Sequence, residues 1–325
     1  MMQSKLVSVI IPVYNAEGTI SECIQSVINQ TYRYLEIIVI NDGSSDGTLE
    51  IVNSFTDPRI IIVSQVNKGC SASKNQGLRI AKGAFIQFLD ADDYLSPDKI
   101  EKQVDKISYN ENHIAVCKTV IISDIDKING LEIDTDLIQN GGEGKQFLLS
   151  LWGLNGKFGM VQPNAYLISR KIAYEIGPWN EDFSPSPDED GEYFARVLLA
   201  TETVNYTDGI NYYRKSLSKN SLSQNISLQR AFNLLDTVEL KFNHLFKVEN
   251  TNRIHKLYQL NISQVAYQFG VQYPKLIDYS LKKIQGKRFK KLMIRNPLLF
   301  KYLSFAIGFK NTILLKRIIS KIKGI

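Results

Sequence analysis

The chain has 325 residues, 44% of them hydrophobic and 22% charged, ordinary for a globular protein with room for about two domain-sized units. Its net charge of +6 is unevenly placed: from Lys282 onward there are thirteen Lys and Arg and no acid, so the remainder carries 26 bases against 33 acids. An acidic body argues against nucleic-acid binding and leaves the basic tail to a partner of its own. Cys23, Cys70 and Cys117 share no short spacing, and Cys23 lies on the apolar stripe of an expected helix. A small core residue in a reducing compartment is the expectation, not a disulfide or a metal site. Met1 to Lys5 lacks a signal-peptide pattern and no run of about 18 apolar residues exists, so a cytoplasmic chain without a membrane span is expected.

Leu6 to Val13 is a continuous apolar run, the pattern of a buried parallel strand. Ile20, Cys23, Ile24, Val27 and Ile28 then fall at helical spacing. Leu35 to Ile40 reads as a second strand stopped by the turn residues Asn41-Asp42-Gly43-Ser44. A short helix over Leu49 to Phe55, a strand at Ile60 to Val63, a helix from about Ser71 to Lys82 and a strand at Ala84 to Leu89 follow. Repeated units of this length give a mostly parallel sheet with helices on both faces. Ser96-Pro97 offers an N-cap for the next helix. From Asn110 to about Asn220 periodicity weakens; Ser216 to Ser227 reads as a boundary, and from Leu228 the pattern is helical.

Ligands of open parallel sheets bind beyond the carboxyl ends of the strands. Three polar clusters sit there: Pro12-Val13-Tyr14-Asn15, Asn41-Asp42-Gly43-Ser44 and Asp90-Ala91-Asp92-Asp93. Three carboxylates in four residues repel one another, and a divalent cation with hard oxygen ligands, Mg²⁺ or Mn²⁺, compensates them. An acidic helix start is the competing reading. No Gly-x-Gly-x-x-Gly and no Gly-Lys-Ser/Thr loop is present, so a metal must carry much of the charge of any bound diphosphate.

Val7 to Asn15, Glu36 to Asp46, Asn67-x-Gly69 with Lys74-Asn75-x-Gly77, and Phe88 to Asp93 resemble, in order and spacing, the successive signatures of the family 2 glycosyltransferases. The resemblance implies an α/β GT-A fold: a Rossmann-like, mostly parallel nucleotide-binding half over residues 1–95, an acceptor half over 96–220, and a helical, basic extension over 221–325. It implies that Asp42 contacts the base of UDP and that Pro12, Val13 and Tyr14 wall the base pocket. Asp90 and Asp92 would reach the ribose and the metal, with Ala91 and Lys74 in the donor set and Asp93 beside Asp92 at the metal. Further on, Gly177-Pro178-Trp179-Asn180-Glu181 is similar to the family's Gly-Gly-Phe-x-Glu loop, and Asp188 to Arg196 to its Glu-Asp-x-Glu-Phe-x-x-Arg stretch. The family's general base then corresponds to Asp190. One carboxylate base and no protein nucleophile imply a single displacement with inversion. An acidic helix N-terminus after Pro185 and Pro187 is the plainer reading of the same residues.

Where many relatives carry a histidine after Tyr-Tyr-Arg, Tyr212-Tyr213-Arg214 is followed by Lys215 and Ser216, which leaves aspartate, phosphates and water to hold the metal. In the tail, Leu314, Leu315, Ile318, Ile319 and Ile322 oppose Lys316, Arg317 and Lys321, with Ile313 misplaced; a basic amphipathic segment suits an anionic membrane surface, and a helix packed on the body is the alternative. The function that the family resemblance implies is hexosyl transfer from a UDP-sugar to a glycan or lipid-linked acceptor of a surface polysaccharide, and with the basic tail it is expected on the inner face of the cell membrane. A non-catalytic nucleotide-sugar-binding or membrane-attached scaffold is the rival. A sugar-phosphate nucleotidyltransferase is disfavoured, because Tyr14-Asn15-Ala16-Glu17 is no glycine-rich basic loop.

Overall fold

The computed structural model describes residues 5–122, 131–132, 136–182, 188–214, 226–284 and 310–315. Two compact units divide the chain: residues 1–151, 157–185 and 193–218 form the first, and 152–156, 186–192 and 219–325 the second.

In the first unit β1 (Val7–Val13), α1 (Ile20–Ile28), β2 (Leu35–Asn41), α2 (Thr48–Asn53), β3 (Ile60–Ser64), α3 (Cys70–Ile80) and β4 (Phe85–Phe88) alternate as the sequence predicts, with ends within two residues of expectation. There follow β5 (Tyr94–Leu95), α4 (Lys99–Ile107), β6 (His113–Ile122), β7 (Leu131–Glu132), α5 (Asp136–Gln139), β8 (Gly142–Glu143) and α6 (Gly144–Leu151). A 3-10 turn, Pro163–Ala165, leads into β9 (Tyr166–Ser169), α7 (Arg170–Glu175), α8 (Glu189–Ala200) and β10 (Thr203–Arg214). The strand order is β3-β2-β1-β4-β9-β6-β10-β5. β3, β2, β1 and β4 run parallel; β9 is antiparallel to both β4 and β6; β10 runs parallel to β6, and β5 antiparallel to β10. The sheet is therefore mostly parallel, of the expected α/β GT-A type.

β1 and β2 are buried at every position, which is why both read as largely apolar runs, and the polar residues inside them, Ser8 and Glu36, bond to each other. Ile20, Cys23, Ile24 and Val27 of α1 pack onto that face with Val9, Ile11, Ile37 and Val39. Cys23 is a core residue, 1% exposed. Chain order reverses between β1 and β4, because α1 carries the chain to β2 on one side and α3 returns it to the other. That is a topological switch point, with its crevice at the carboxyl ends of the strands. Gly77 lets α3 approach there: a Cβ would lie 2.3 Å from Ile10 Cγ2.

Two elements differ from expectation. Ser96 is not a helix cap; α4 begins at Lys99 after Asp98, and the Ser96 hydroxyl donates to Asp98 Oδ1 (2.9 Å) and accepts from Ile210 N (3.0 Å). It ties the start of α4 to β10. The weakly periodic middle holds two long strands, β6 and β10, paired over most of their length.

In the second unit α9 (Leu228–Val248), α10 (Asn252–Phe269) and α11 (Pro274–Lys283) give the expected helical extension. Ser227 caps α9 by accepting from Arg230 N (3.3 Å). The rest of the predicted boundary, 216–225, lies outside the described residues, as do Lys215, Pro185, Pro187, 285–309 and 316–325. Within 310–315, Ile313 is fully buried against Ala266 of α10 and Ile277 of α11. The residue that breaks the amphipathic pattern is thus a packing residue. Among the described residues no helix is long and apolar enough to cross a membrane.

Candidate active site

Asp90-Ala91-Asp92-Asp93 leaves the carboxyl end of β4 as a tight turn in which Asp93 N donates to Asp90 O (3.0 Å). Ala91 points into the core, whereas Asp92 is exposed and Asp90 half-buried. Asp93 is 1% exposed; its Oδ1 accepts from Arg214 N (2.7 Å) and its Oδ2 from Asn164 Nδ2. Burial, followed by the neighbouring Asp92 and Asp90 charges, holds the Asp93 carboxyl well above the usual carboxylate range, against the Arg214 amide and charge. Asp92 is also raised, by the surrounding protein bulk, with its backbone and Arg214 opposing. Arg214, the last residue of β10, donates through Nε to the Asp92 carbonyl (3.0 Å) and pairs through Nη2 with Glu22 of α1.

Lys74 lies in α3, 2% exposed. Its Nζ is 3.8 Å from Asp90 Oδ1 and 4.2 Å from the centroid of the Trp179 ring, so a carboxylate and an indole face share one buried ammonium. Trp179 is stacked on Tyr193 with centroids 4.0 Å apart and meets the edge of Phe88. Asn75 fixes Trp179 in turn. Its Oδ1 accepts from Trp179 N (2.8 Å), and its Nδ2 donates to Trp179 O (2.9 Å) and Glu181 Oε1 (2.7 Å). Arg196 of α8 donates to the carbonyls of Ile176 (2.7 Å), Gly177 (3.2 Å) and Pro178 (2.9 Å). Residues 176–181 are thereby held from both sides.

Pro12 and Val13 end β1 buried, and Tyr14 follows 53% exposed. Asp42, at the end of β2, is 3% exposed; Oδ1 accepts from Gln65 Nε2 (2.8 Å) and Lys68 N (2.9 Å), and Oδ2 from Gly69 N (2.8 Å). It therefore organises the turn into α3, a role the sequence reading did not foresee. The loops after β1 and β2 are also cross-tied: Asn15 Oδ1 accepts from Ser45 N (2.8 Å), and Glu17 Oε2 from Gly47 N (2.8 Å). Pro12, Val13, Tyr14, Asp42, Lys74, Asp90, Ala91, Asp92 and Asp93 all lie in the first unit.

Asp190 is the second residue of α8, in the part of that helix assigned to the second unit, and is half-buried. Its neighbours are engaged with α9: Asp188 pairs with Lys241, and Glu192 Oε1 lies 2.8 Å from His244 Nε2. Asn164, Arg214, Glu22 and Trp179 were not foreseen as site residues. Arg214 closes the Tyr-Tyr-Arg motif, so its signal was visible in the sequence; Asn164 had none.

Among the described residues no group of three or more His, Cys, Asp or Glu is placed to hold a metal by itself. The donor chemistry still fits Mg²⁺ or Mn²⁺, which are held by one or two carboxylates together with substrate phosphates and water rather than by an all-protein cage. Asp92 is exposed and Asp90, beside Lys74, is half-buried, whereas both oxygens of Asp93 are taken up by protein donors.

The family model described as "Glycosyl transferase family 2" matches residues 8–176. Glycosyltransferase GlyA of Streptococcus pneumoniae serotype 4 is 30% identical over 241 residues, 69% of this chain and 32% of GlyA. The UDP-Glc:alpha-D-GlcNAc-diphosphoundecaprenol beta-1,3-glucosyltransferase WfaP of Escherichia coli is 37% identical over 127 residues, 37% of this chain and 51% of WfaP. The chain thus spans about a third to a half of these curated relatives. Among solved structures, S. aureus TarS 1-349 in complex with UDP-GlcNAc is similar with a TM-score of 0.66 and 15% identity, covering 98% of this chain and 92% of that one, a likeness of fold.

Proposed function

The chain belongs to glycosyl transferase family 2, and from that premise we propose that it transfers a sugar from a UDP-sugar to a hydroxyl of a glycan or lipid-linked acceptor in polysaccharide synthesis, inverting the anomeric carbon. The observation that carries the reading is the braced Asp90–Asp93 turn at the switch point, with an exposed Asp92 and a buried Lys74 3.8 Å from Asp90. A bound divalent cation would neutralise the diphosphate as it leaves.

In this reading Asp92, with Asp90, faces the metal and the ribose, and Pro12 to Tyr14 receive the base. Lys74 fixes the Asp90 carboxylate from within the core. Asp42 shapes the base pocket by holding the 65–69 turn, and one unused lone pair of its carboxylate is left for the base. Asp190 takes the proton of the attacking hydroxyl, and since no side chain is assigned as a nucleophile the displacement occurs once, with inversion. The acid-free tail holds the protein on the anionic inner face of the membrane.

A screen of UDP- and GDP-sugars for nucleotide release with and without Mn²⁺ tests the reading. Release from a UDP-sugar that depends on both Mn²⁺ and an acceptor glycan is expected. UDP binding without turnover on any acceptor would instead favour a nucleotide-sugar-binding scaffold.

A further inference from the structure

We infer that Asp93 and Asn164 form a brace that sets the Asp90–Asp92 turn, so that Asp93 serves the diphosphate site as a positioning residue and not as a metal ligand. The inference rests on reading that turn as the diphosphate site.

The turn is fixed at both ends. At its start, Asp90 N donates to Asn164 Oδ1 (3.1 Å). At its end, the same amide donates through Nδ2 to Asp93 Oδ2, while Asp93 Oδ1 accepts from Arg214 N (2.7 Å). A backbone N–H only donates, so the Asn164 amide has one orientation, oxygen to Asp90 and nitrogen to Asp93. Asn164 is fully buried in the 3-10 turn before β9, and its own carbonyl accepts from Gln87 Nε2 of β4 (2.9 Å). The amide is thus anchored to the strand from which the turn departs.

The consequence is a division of labour among three aspartates. Asp93, 1% exposed, spends both oxygens on protein donors, the buried Asn164 amide and the backbone of β10. That strand end also carries Arg214, whose Nε holds the Asp92 carbonyl (3.0 Å). With both turn ends and the Asp92 carbonyl held, the half-buried Asp90 and exposed Asp92 have little freedom to lose on binding.

A reciprocal exchange tests this. Asp93→Asn places two amides, or an amide nitrogen and a backbone N–H, against each other, and Asn164→Asp sets two carboxylates face to face. The double exchange restores every bond, because a carboxylate at 164 accepts from Asp90 N and from the amide at 93, whose oxygen accepts from Arg214 N. Calorimetry of UDP with Mn²⁺, of uridine, and thermal melting are the readouts. Each single exchange is expected to weaken Mn²⁺-dependent UDP binding about tenfold or more and to lower the melting midpoint, with uridine affinity little changed. The double exchange should recover both to near wild type, although residue 93 then carries no charge.

If the double exchange melts like wild type yet binds UDP with Mn²⁺ as weakly as Asp93→Asn alone, the Asp93 charge is needed at the metal and the inference falls. Asn164→Ala, which removes both bonds without adding a charge, is the second arm should the exchange not fold; unchanged Mn²⁺-dependent UDP affinity in it also overturns the brace. If wild-type protein binds UDP no better with Mn²⁺, the diphosphate reading of the turn has failed instead. The melting cycle still judges the brace, which is refuted when the double exchange keeps the summed deficit of the single ones.

Discussion

Asn75→Ala should unlock the loop that supports Lys74. Its side chain makes three hydrogen bonds to Trp179 and Glu181. Trp179 is 1% exposed, so deletion strands a buried N–H and a buried C=O. Each such orphan costs about 1–3 kcal/mol. The bond to exposed Glu181 adds little. Water entering the space left by the amide recovers part of the sum, giving about 3 kcal/mol. In a unit of this size each kcal/mol moves the melting midpoint about 2–4 °C, so a fall of about 6–12 °C is expected. Differential scanning calorimetry measures it, and tryptophan fluorescence follows Trp179, one of two tryptophans in the chain. Asn75→Asp sharpens the test: its carboxylate accepts from Trp179 N but faces the Trp179 carbonyl and Glu181 with no proton to offer. Its pKa is thereby raised in the folded state, so the deficit of this variant should grow as pH rises through that value and shrink on acidification. A shift below about 2 °C in both variants would refute the clamp.

Asp92→Ala should abolish the Mn²⁺-dependent part of UDP affinity in calorimetry while leaving uridine binding in place, and unchanged UDP affinity would remove the metal assignment. The protein bulk around Asp92 raises it above the usual carboxylate range, and binding needs its ionised form. Metal-dependent affinity should therefore be full above the raised pKa and fade as pH falls through it, earlier than for a carboxylate in open solvent at about 3.9. Asp190→Asn should lower transfer by about 10²- to 10⁴-fold with near-normal UDP affinity, since the amide keeps the size and loses the proton acceptor; wild-type turnover would exclude it as the base. Truncation after Ile284 should release the protein from anionic vesicles at low salt with UDP binding intact, because each basic residue at such a surface contributes roughly 1 kcal/mol; sedimentation of full-length protein with the supernatant at low salt would refute membrane attachment.

The first ninety residues were legible because period and burial agree there. Strands buried on both faces read as largely apolar runs, and α1 shows its stripe at helical spacing. β10 was not legible. Its pairing with β6 shifts register between Thr207 and Ile210, and the bulge places Asp208-Gly209 inside a strand, where the pair reads as a turn. A Cβ at Gly209 would lie 2.9 Å from Lys99 Cα, so the glycine serves close packing on α4. Ser96 misled for a related reason: serine before proline carries the signature of a cap, and only the neighbouring β10 shows what else the hydroxyl can bind.

The candidate site was legible in its composition and not in its division of labour. Four motif positions carry carboxylates at strand ends, and a sequence places all four in the crevice alike. Whether a carboxylate meets a ligand or the protein depends on which donors arrive from residues far along the chain. Asp42 is claimed from 23 to 27 residues away by Gln65, Lys68 and Gly69, and Asp93 from 71 and 121 residues away by Asn164 and Arg214. No local pattern encodes such pairings. The same holds for Asn75, Gly77 and Arg196, which sit in motifs that resemble donor and catalytic signatures yet clamp a loop, admit a helix and bind three carbonyls. Much of what these motif residues do is therefore to build the frame, and the frame leaves Asp92 exposed and Asp90 half-buried, the two carboxylates to which the proposed reading gives the diphosphate's charge.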